Sequence, residues 1–365
     1  MPELAALPPL DTALNDIESV KRACAAFREV FDRLRREIGK VIVGQDEVVE
    51  QTMIALFANG HVLLEGVPGL GKTLLVRTLS RALSLPFSRI QFTPDLMPAD
   101  ITGTQIVVED PATGHREFRF RPGPLFTQLL LADEINRATP KSQAALLEAM
   151  QERSITVAGR THELTAPFFV MATQNPIEQE GTYPLPEAQL DRFFFKIVVP
   201  YANRSEMNTI VSRTTATIET TVRPILDGPH ILRAQKLARR IVVAPHVQDY
   251  LIRLVLATHP GSPHGVPGLS KYVRVGVSPR AAQSLACAAK VRALIDGRYA
   301  VAFRDIHLSA APVLRHRIIP NFEAEADGVS TDDIVARLID HLPRELDEDE
   351  FTTEPQSHRD HRGKK

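Results

Sequence analysis

Gly66, Gly71, Lys72 and Thr73, in the stretch HVLLEGVPGLGKTLLVRTL, have the types and spacing of a phosphate cradle. They fit GxxxxGK[ST], in which backbone N–H groups point at phosphate oxygens with no Cβ in the way. The loop Gly66, Val67, Pro68, Gly69, Leu70, Gly71, Lys72, Thr73, Leu74 follows an apolar run and opens a segment of helical periodicity. The positive end of a helix is therefore aimed at the same place. Lys72 is the residue to reach the β- and γ-phosphates, and the Thr73 hydroxyl is the one to ligate Mg²⁺. A chance glycine-rich turn is the competing reading, and the strand before and helix after argue against it.

A second constellation is LLLADEINRA, residues 129 to 138. Four apolar residues deliver Asp133 and Glu134 at a strand end, where open α/β sheets bind ligands. Asp133 is expected to hold Mg²⁺ through water. Glu134 is expected to orient and polarise an attacking water, the step that separates a hydrolase from a binder. No guanine-reading NKxD follows, which argues against GTP, and no lid with clustered arginines follows the acids as in a small-molecule kinase.

Positioning these groups requires strands and helices in alternation. Apolar runs at His61–Glu65, Ser88–Phe92, Leu129–Ala132, Phe168–Thr173 and Phe193–Val199 predict strands. Helical periodicity between them, as in Lys141–Gln151, predicts a mostly parallel sheet covered on both faces. Upstream, Ile17, Val20, Cys24, Phe27, Phe31, Leu34 and Ile38 share one helical face. That pattern ends too soon for a long coiled coil and predicts a helix docked on the next domain. Beyond residue 200, Ala234–Arg240, Val247–Thr258, Ala281–Asp296 and Arg304–Arg317 read as helices separated by Pro/Gly-rich breaks. The expected division is an N-terminal helical segment (1–38), an α/β core (39–200), a helical lid (201–345) and a disordered tail (346–365).

Composition limits the function. The 365 residues carry 43 Lys plus Arg against 44 Asp plus Glu, for a formal net charge of -1, which argues against nucleic acid as the main partner. The two cysteines, Cys24 and Cys287, form no CxxC pair and point to a reducing compartment. With no signal-peptide pattern and no membrane-length apolar run, a cytoplasmic protein without a membrane span is expected.

LADEINRA, MQERSITVAGR, FFVMATQNPIEQEGTYPLPEAQLDRF and GVSPRA, in that order, resemble the MoxR family of AAA+ ATPases over roughly residues 35–320. The resemblance implies an α/β fold: a P-loop AAA+ core with a mostly parallel sheet, followed by a smaller all-helical lid domain. It implies ATP and Mg²⁺ as cofactors and a homo-oligomeric ring, expected to be a hexamer. Asn175 matches sensor 1, which helps position the attacking water. Arg192 in QLDRF matches the arginine finger that a neighbouring chain supplies, with Arg137 in EINRA as the alternative. Arg280 in GVSPRA matches sensor 2, which pairs with phosphate and reports nucleotide state to the small domain. Val43 and Gly44 in KVIVGQDEV resemble the segment lining adenine.

Two further stretches resemble insertions of this clade and read as hairpins. One turns at Asp110–Gly114 with Phe118 and Phe120 on one face; the other turns near Ala158–Gly159. Pore, partner and solvent all remain open as their contacts. The helix starting at Phe303 lacks the family's Thr-Pro, and Ala302 is a poorer N-cap than Thr by about 1 kcal/mol. The resemblance implies chaperone-like remodelling or activation of other proteins, including metal or cofactor insertion, with a partner carrying a von Willebrand factor A domain. A nucleic-acid motor of the same clade, using Arg116, Arg119, Arg121, Arg153 and Arg160, and the ATPase subunit of a metal chelatase are the alternatives.

Overall fold

The computed structural model describes residues 17–109, 115–176, 181–215 and 220–344. The Asp110–Gly114 turn, part of the NPIEQEG segment and the tail lie outside the described residues. The first described element is helix α1 (Ile17–Gly39), whose Cys24, Phe27, Phe31, Leu34 and Ile38 are buried, as their shared face predicts. Next come α2 (Asp46–Phe57), β1 (Val62–Glu65), α3 (Lys72–Leu83) and β2 (Phe87–Gln91). A short helix α4 (Pro98–Thr102) leads into the hairpin β3 (Gly103–Glu109) and β4 (Arg116–Pro122). Then follow β5 (Leu129–Asp133), α5 (Pro140–Glu152), the hairpin β6 (Ser154–Val157) and β7 (Arg160–Glu163), β8 (Phe169–Gln174), α6 (Glu187–Leu190) and β9 (Phe195–Val198).

The central sheet has the order β2-β5-β8-β1-β9 and is parallel throughout. Side chains of a strand alternate between faces, and here each face meets its own apolar cluster. Val62, Leu64, Leu129, Leu131, Phe169 and Met171 join one cluster; Leu63, Leu130, Ala132, Val170 and Ala172 join the other. Burial on both faces explains why these strands read as unbroken apolar runs. In the second hairpin, Ala158 (φ 49) and Gly159 (φ 77) both adopt left-handed backbone, the geometry of a two-residue turn between twisted strands. The two hairpins touch: Phe120 stacks on His162 with ring centroids 4.2 Å apart.

The C-terminal part is helical: α7 (Arg204–Thr214), α8 (Gly228–Arg240), α9 (Pro245–Leu256), α10 (Pro279–Ile295), α11 (Phe303–Leu314), α12 (Phe322–Ala326) and α13 (Thr331–His341). It departs from the all-helical expectation in one respect. Strands β10 (Val273–Val275) and β11 (Ile319–Pro320) pair antiparallel. At three and two residues they are too short to carry a periodicity. Helix α10 packs on α1, α2, α8, α9 and α11, and Arg292 on α10 pairs with Glu50 on α2 at 2.9 Å. Helix α1 thus bridges the sheet domain, through α3, and the C-terminal helices. No helix among the described residues is long and apolar enough to cross a membrane.

Candidate functional site

Because every strand of the sheet runs the same way, its two edges are chemically distinct. At the carboxyl edge, β1 ends at Glu65, and residues 66–71 turn into α3. Gly69 (φ 86) and Gly71 (φ 76) hold left-handed backbone that a side chain would resist, which bends the loop around a concavity. Lys72 heads α3; its Nζ donates to the Gly66 carbonyl at 2.7 Å. Burial draws the Lys72 pKa down, while Asp133 and Glu134 oppose that shift. Thr73 is half-buried beside it and Leu74 is exposed.

Asp133 closes β5 at the same edge. Its Oδ1 accepts from the Thr173 hydroxyl at 2.6 Å, and its Oδ2 accepts from Arg89 Nη2 at 2.8 Å. Glu134 follows in a left-handed turn (φ 56), with its N–H donating to Thr173 Oγ at 2.8 Å. Glu134 Oε2 accepts from Gln91 at 2.7 Å and from Arg137 at 3.0 Å. Asn175, one residue past β8, is 5% exposed. The structure therefore brings Lys72, Asp133, Glu134 and Arg137 to one strand edge, together with the end of the strand that carries Asn175. The Thr73 hydroxyl and the Asp133 carboxylate are hard oxygen donors of the kind Mg²⁺ takes beside phosphate, so the residues present fit that ion.

Gly44 borders a cavity of about 370 Å³ with Gln45, Ile197, Pro200, Glu206 and Arg315 among its walls. Val43 is half-buried just before it in the chain. Gln45 Nε2 donates to the Leu70 carbonyl at 2.8 Å, which ties this cavity to the phosphate loop. A Cβ on Gly44 would fall 2.3 Å from the Glu206 carboxyl carbon, and Gly44 holds left-handed backbone (φ 71), so a side chain there would both strain the chain and displace Glu206. Glu206 is held by reciprocal capping with Asn203 at the start of α7.

The remaining two arginines lie elsewhere. Arg192 sits in the turn immediately before β9, and Phe194 in that turn donates to the carbonyl of His61, just ahead of β1. This is the amino edge of the sheet. A four-residue strand, at about 3.3 Å per residue, puts some 13 Å of β1 between this edge and the phosphate loop. Arg280, at the second position of α10, does not join the loop either. It shares with Arg192 a cavity of about 420 Å³ whose walls include Gly60, Arg153, Asp191 and Arg317.

Buried polar groups stiffen that edge. Arg153 (φ 56) donates to the carbonyls of Phe168 and Asn59, and burial lowers its pKa. His61 accepts from the Val170 N–H and donates to the Met150 carbonyl, and complete burial keeps it neutral.

A family profile described as ATPase family associated with various cellular activities (AAA) matches residues 61–195, and one for the AAA lid domain matches residues 269–338. Chaperone MoxR1 of Mycobacterium tuberculosis is 45% identical over 315 residues, spanning 86% of this chain and 82% of that protein. The chain belongs to the MoxR family of AAA+ ATPases. Protein MoxR of Methylorubrum extorquens is 33% identical over 311 residues, covering 80% of this chain and 88% of that protein. In shape, the chain is similar to the crystal structure of a Cytophaga hutchinsonii protein, with a TM-score of 0.83 at 40% identity, over 90% of this chain and 98% of that one.

Thr173, Arg89, Gln91 and Gln45 contact the candidate residues and were not singled out from sequence. Arg89 and Gln91 did leave a trace: they are polar residues two apart in SRIQF, on one face of a strand. Thr173 left none, because a threonine inside an apolar strand looks like filler until its neighbours are known.

Proposed function

We propose that this MoxR-family chain hydrolyses ATP in a ring, expected to be a hexamer, in which each catalytic site is divided between two chains. The observation that carries this reading is the division of the sheet into two edges. The phosphate loop, Asp133, Glu134 and Asn175 stand at one edge, and Arg192 and Arg280 stand together at the other. An arginine separated from its own loop by the length of a strand can serve only a nucleotide held by a neighbour. Arg137 is tied to Glu134 of its own chain, which favours Arg192 as the finger.

In this reading the amides of residues 66–72 and the Lys72 ammonium bind the phosphates, while Val43 and Gly44 face the adenine. Thr73 and Asp133 would hold Mg²⁺, which would supply neutralisation of phosphate charge. Glu134, fixed by Gln91 and Arg137, orients the attacking water with help from Asn175. Arg192 and Arg280 of the adjacent chain stabilise the charge spread over the transferred phosphoryl group.

The division into 1–38, 39–200, 201–345 and 346–365 is part of the same proposal, with the C-terminal helices moving as a lid. Family likeness and the name of the mycobacterial relative support a chaperone-like role, remodelling or activating a protein target. Metal or cofactor insertion falls within that range, as does a partner bearing a von Willebrand factor A domain. Two exposed arginines of the first hairpin are engaged by acids of their own chain, Arg116 by Glu109 and Arg119 by Glu117, which weighs against a nucleic-acid motor. The test is Glu134→Gln, which should bind ATP with unchanged affinity and lose turnover by at least about 100-fold. Unaltered turnover would remove Glu134 from the mechanism.

A further inference from the structure

Arg317, three residues past the end of α11, is a guanidinium with its side chain 2% exposed. Its donors are spent on the turn that contains Arg192. Nε donates to Asp191 Oδ1 at 2.7 Å; Nη2 donates to the Phe193 carbonyl at 2.7 Å and the Asp191 carbonyl at 3.2 Å. Nη1 reaches the Phe194 carbonyl at 3.3 Å and the Val313 carbonyl of α11 at 2.5 Å. The neighbouring His316 donates through Nε2 to the Phe193 carbonyl at 3.1 Å. Asp191 Oδ2, in turn, accepts from the Ser278 hydroxyl at 2.9 Å. That hydroxyl is the N-cap of α10 and accepts from the Arg280 N–H at 3.2 Å.

Arg192 and Arg280 are thus joined to one carboxylate: Arg192 is the next residue in the chain after Asp191, and Arg280 lies in the first turn of the helix that Ser278 caps. We propose that Asp191 and Arg317 form a buried clamp that holds Arg192 and Arg280 as one two-pronged unit, so that the C-terminal helices and the finger turn move together. Arg317 is a positioning residue in this scheme; it acts on the neighbour's nucleotide through Arg192 and Arg280. The fork geometry matters, because a planar guanidinium presents five N–H donors in a rigid fork, enough for the carboxylate and the carbonyls here, whereas an ammonium presents three. A displacement of about 1 Å in a catalytic group can cost about 100-fold in rate.

The proposal rests on the division of the site between chains, so its test must separate the two. Turnover, ATP affinity and recovery on mixing with Lys72→Ala chains are measured for Arg192→Ala, Arg317→Lys and Ser278→Ala. Arg317→Lys keeps the charge and loses the fork. It should bind ATP within about 2-fold of the parent, lose about 10- to 100-fold in kcat, and recover when Lys72→Ala neighbours supply intact arginines. A fault confined to folding or to the chain's own site would not be rescued this way, and absence of rescue would overturn the clamp. If Arg317→Lys cannot bind ATP, Ser278→Ala decides: a kcat reduced about 3- to 10-fold and rescued supports the clamp, whereas a parental kcat overturns it. Arg192→Ala supplies the control. Undiminished turnover there would bring down the divided site itself. An inactive but rescued Arg192→Ala, beside parental kcat in the other two variants, would overturn the clamp alone.

Discussion

At the carboxyl edge of the sheet, the loop 66–73, Asp133 and Glu134 are placed by backbone: glycines with positive φ, strand ends and one helix start. At the amino edge, Arg192 and Arg280 are placed by side chains from distant parts of the chain, with Arg317 and Ser278 meeting on Asp191. The first edge is a preset backbone cradle of the shape proposed to hold an anion. The second presents cations held by a buried ion pair whose partners lie on the sheet domain and on the helical part, so its geometry depends on how those two parts sit together. In the proposed reading, one edge binds and the other reports and responds.

This contrast can be attacked from the largest effect downward. Arg192→Ala should lower kcat by about 1,000-fold or more while leaving ATP affinity within about 2-fold, because an arginine finger acts mainly on the transition state. Lys72→Ala should do the reverse to binding, raising the dissociation constant for ATP by about 10-fold or more through loss of a hydrogen bond to charge, worth about 1.5–3 kcal/mol. Equilibrium binding of a fluorescent ATP analogue beside steady-state rates would show whether the two edges separate in this way. Equal loss of binding in both variants would erase the distinction.

A subtler probe is Thr173→Val. It removes the donor to Asp133 Oδ1 and the acceptor of the Glu134 N–H without changing side-chain shape much. Turnover should fall about 10- to 100-fold, as when the hydrogen-bond partners that orient metal-ligating side chains are removed. Rates unchanged from the parent would mean that Asp133 and Glu134 need no such support. The smallest effect expected lies outside both edges. Ala302 N–H is satisfied by Asp305 at 2.8 Å, but Ala302 has no side-chain oxygen to cap α11 in return. Ala302→Thr should stabilise the chain by about 1 kcal/mol in thermal unfolding with no change in kcat.

How much of this could be read from residues alone also follows the two edges. The cradle was legible because its signals are local: GVPGLGKT and LLLADE each state a backbone geometry within ten residues. Three of the five core strands, β1, β5 and β8, were legible for the same reason, as apolar runs buried on both faces; β2 and β9 bury one face only and showed a weaker signal. The amino edge was not. Asp191 and Arg317 are 126 residues apart, and a lone Arg after a helix carries no sign of burial until the fold closes on it. The position of Arg280 was hidden likewise: GVSPRA marks a capped helix start, but only the packing of α10 shows which edge of the sheet it faces. The short β10–β11 pair escaped because two or three residues have no period.

The divided site is tested most directly by turnover per chain as the protein is diluted, with sedimentation velocity recording its assembly at each concentration. The account predicts that ATP hydrolysis per chain falls together with the assembled fraction and returns on reconcentration. Full turnover by a species that sediments as a single chain would contradict it.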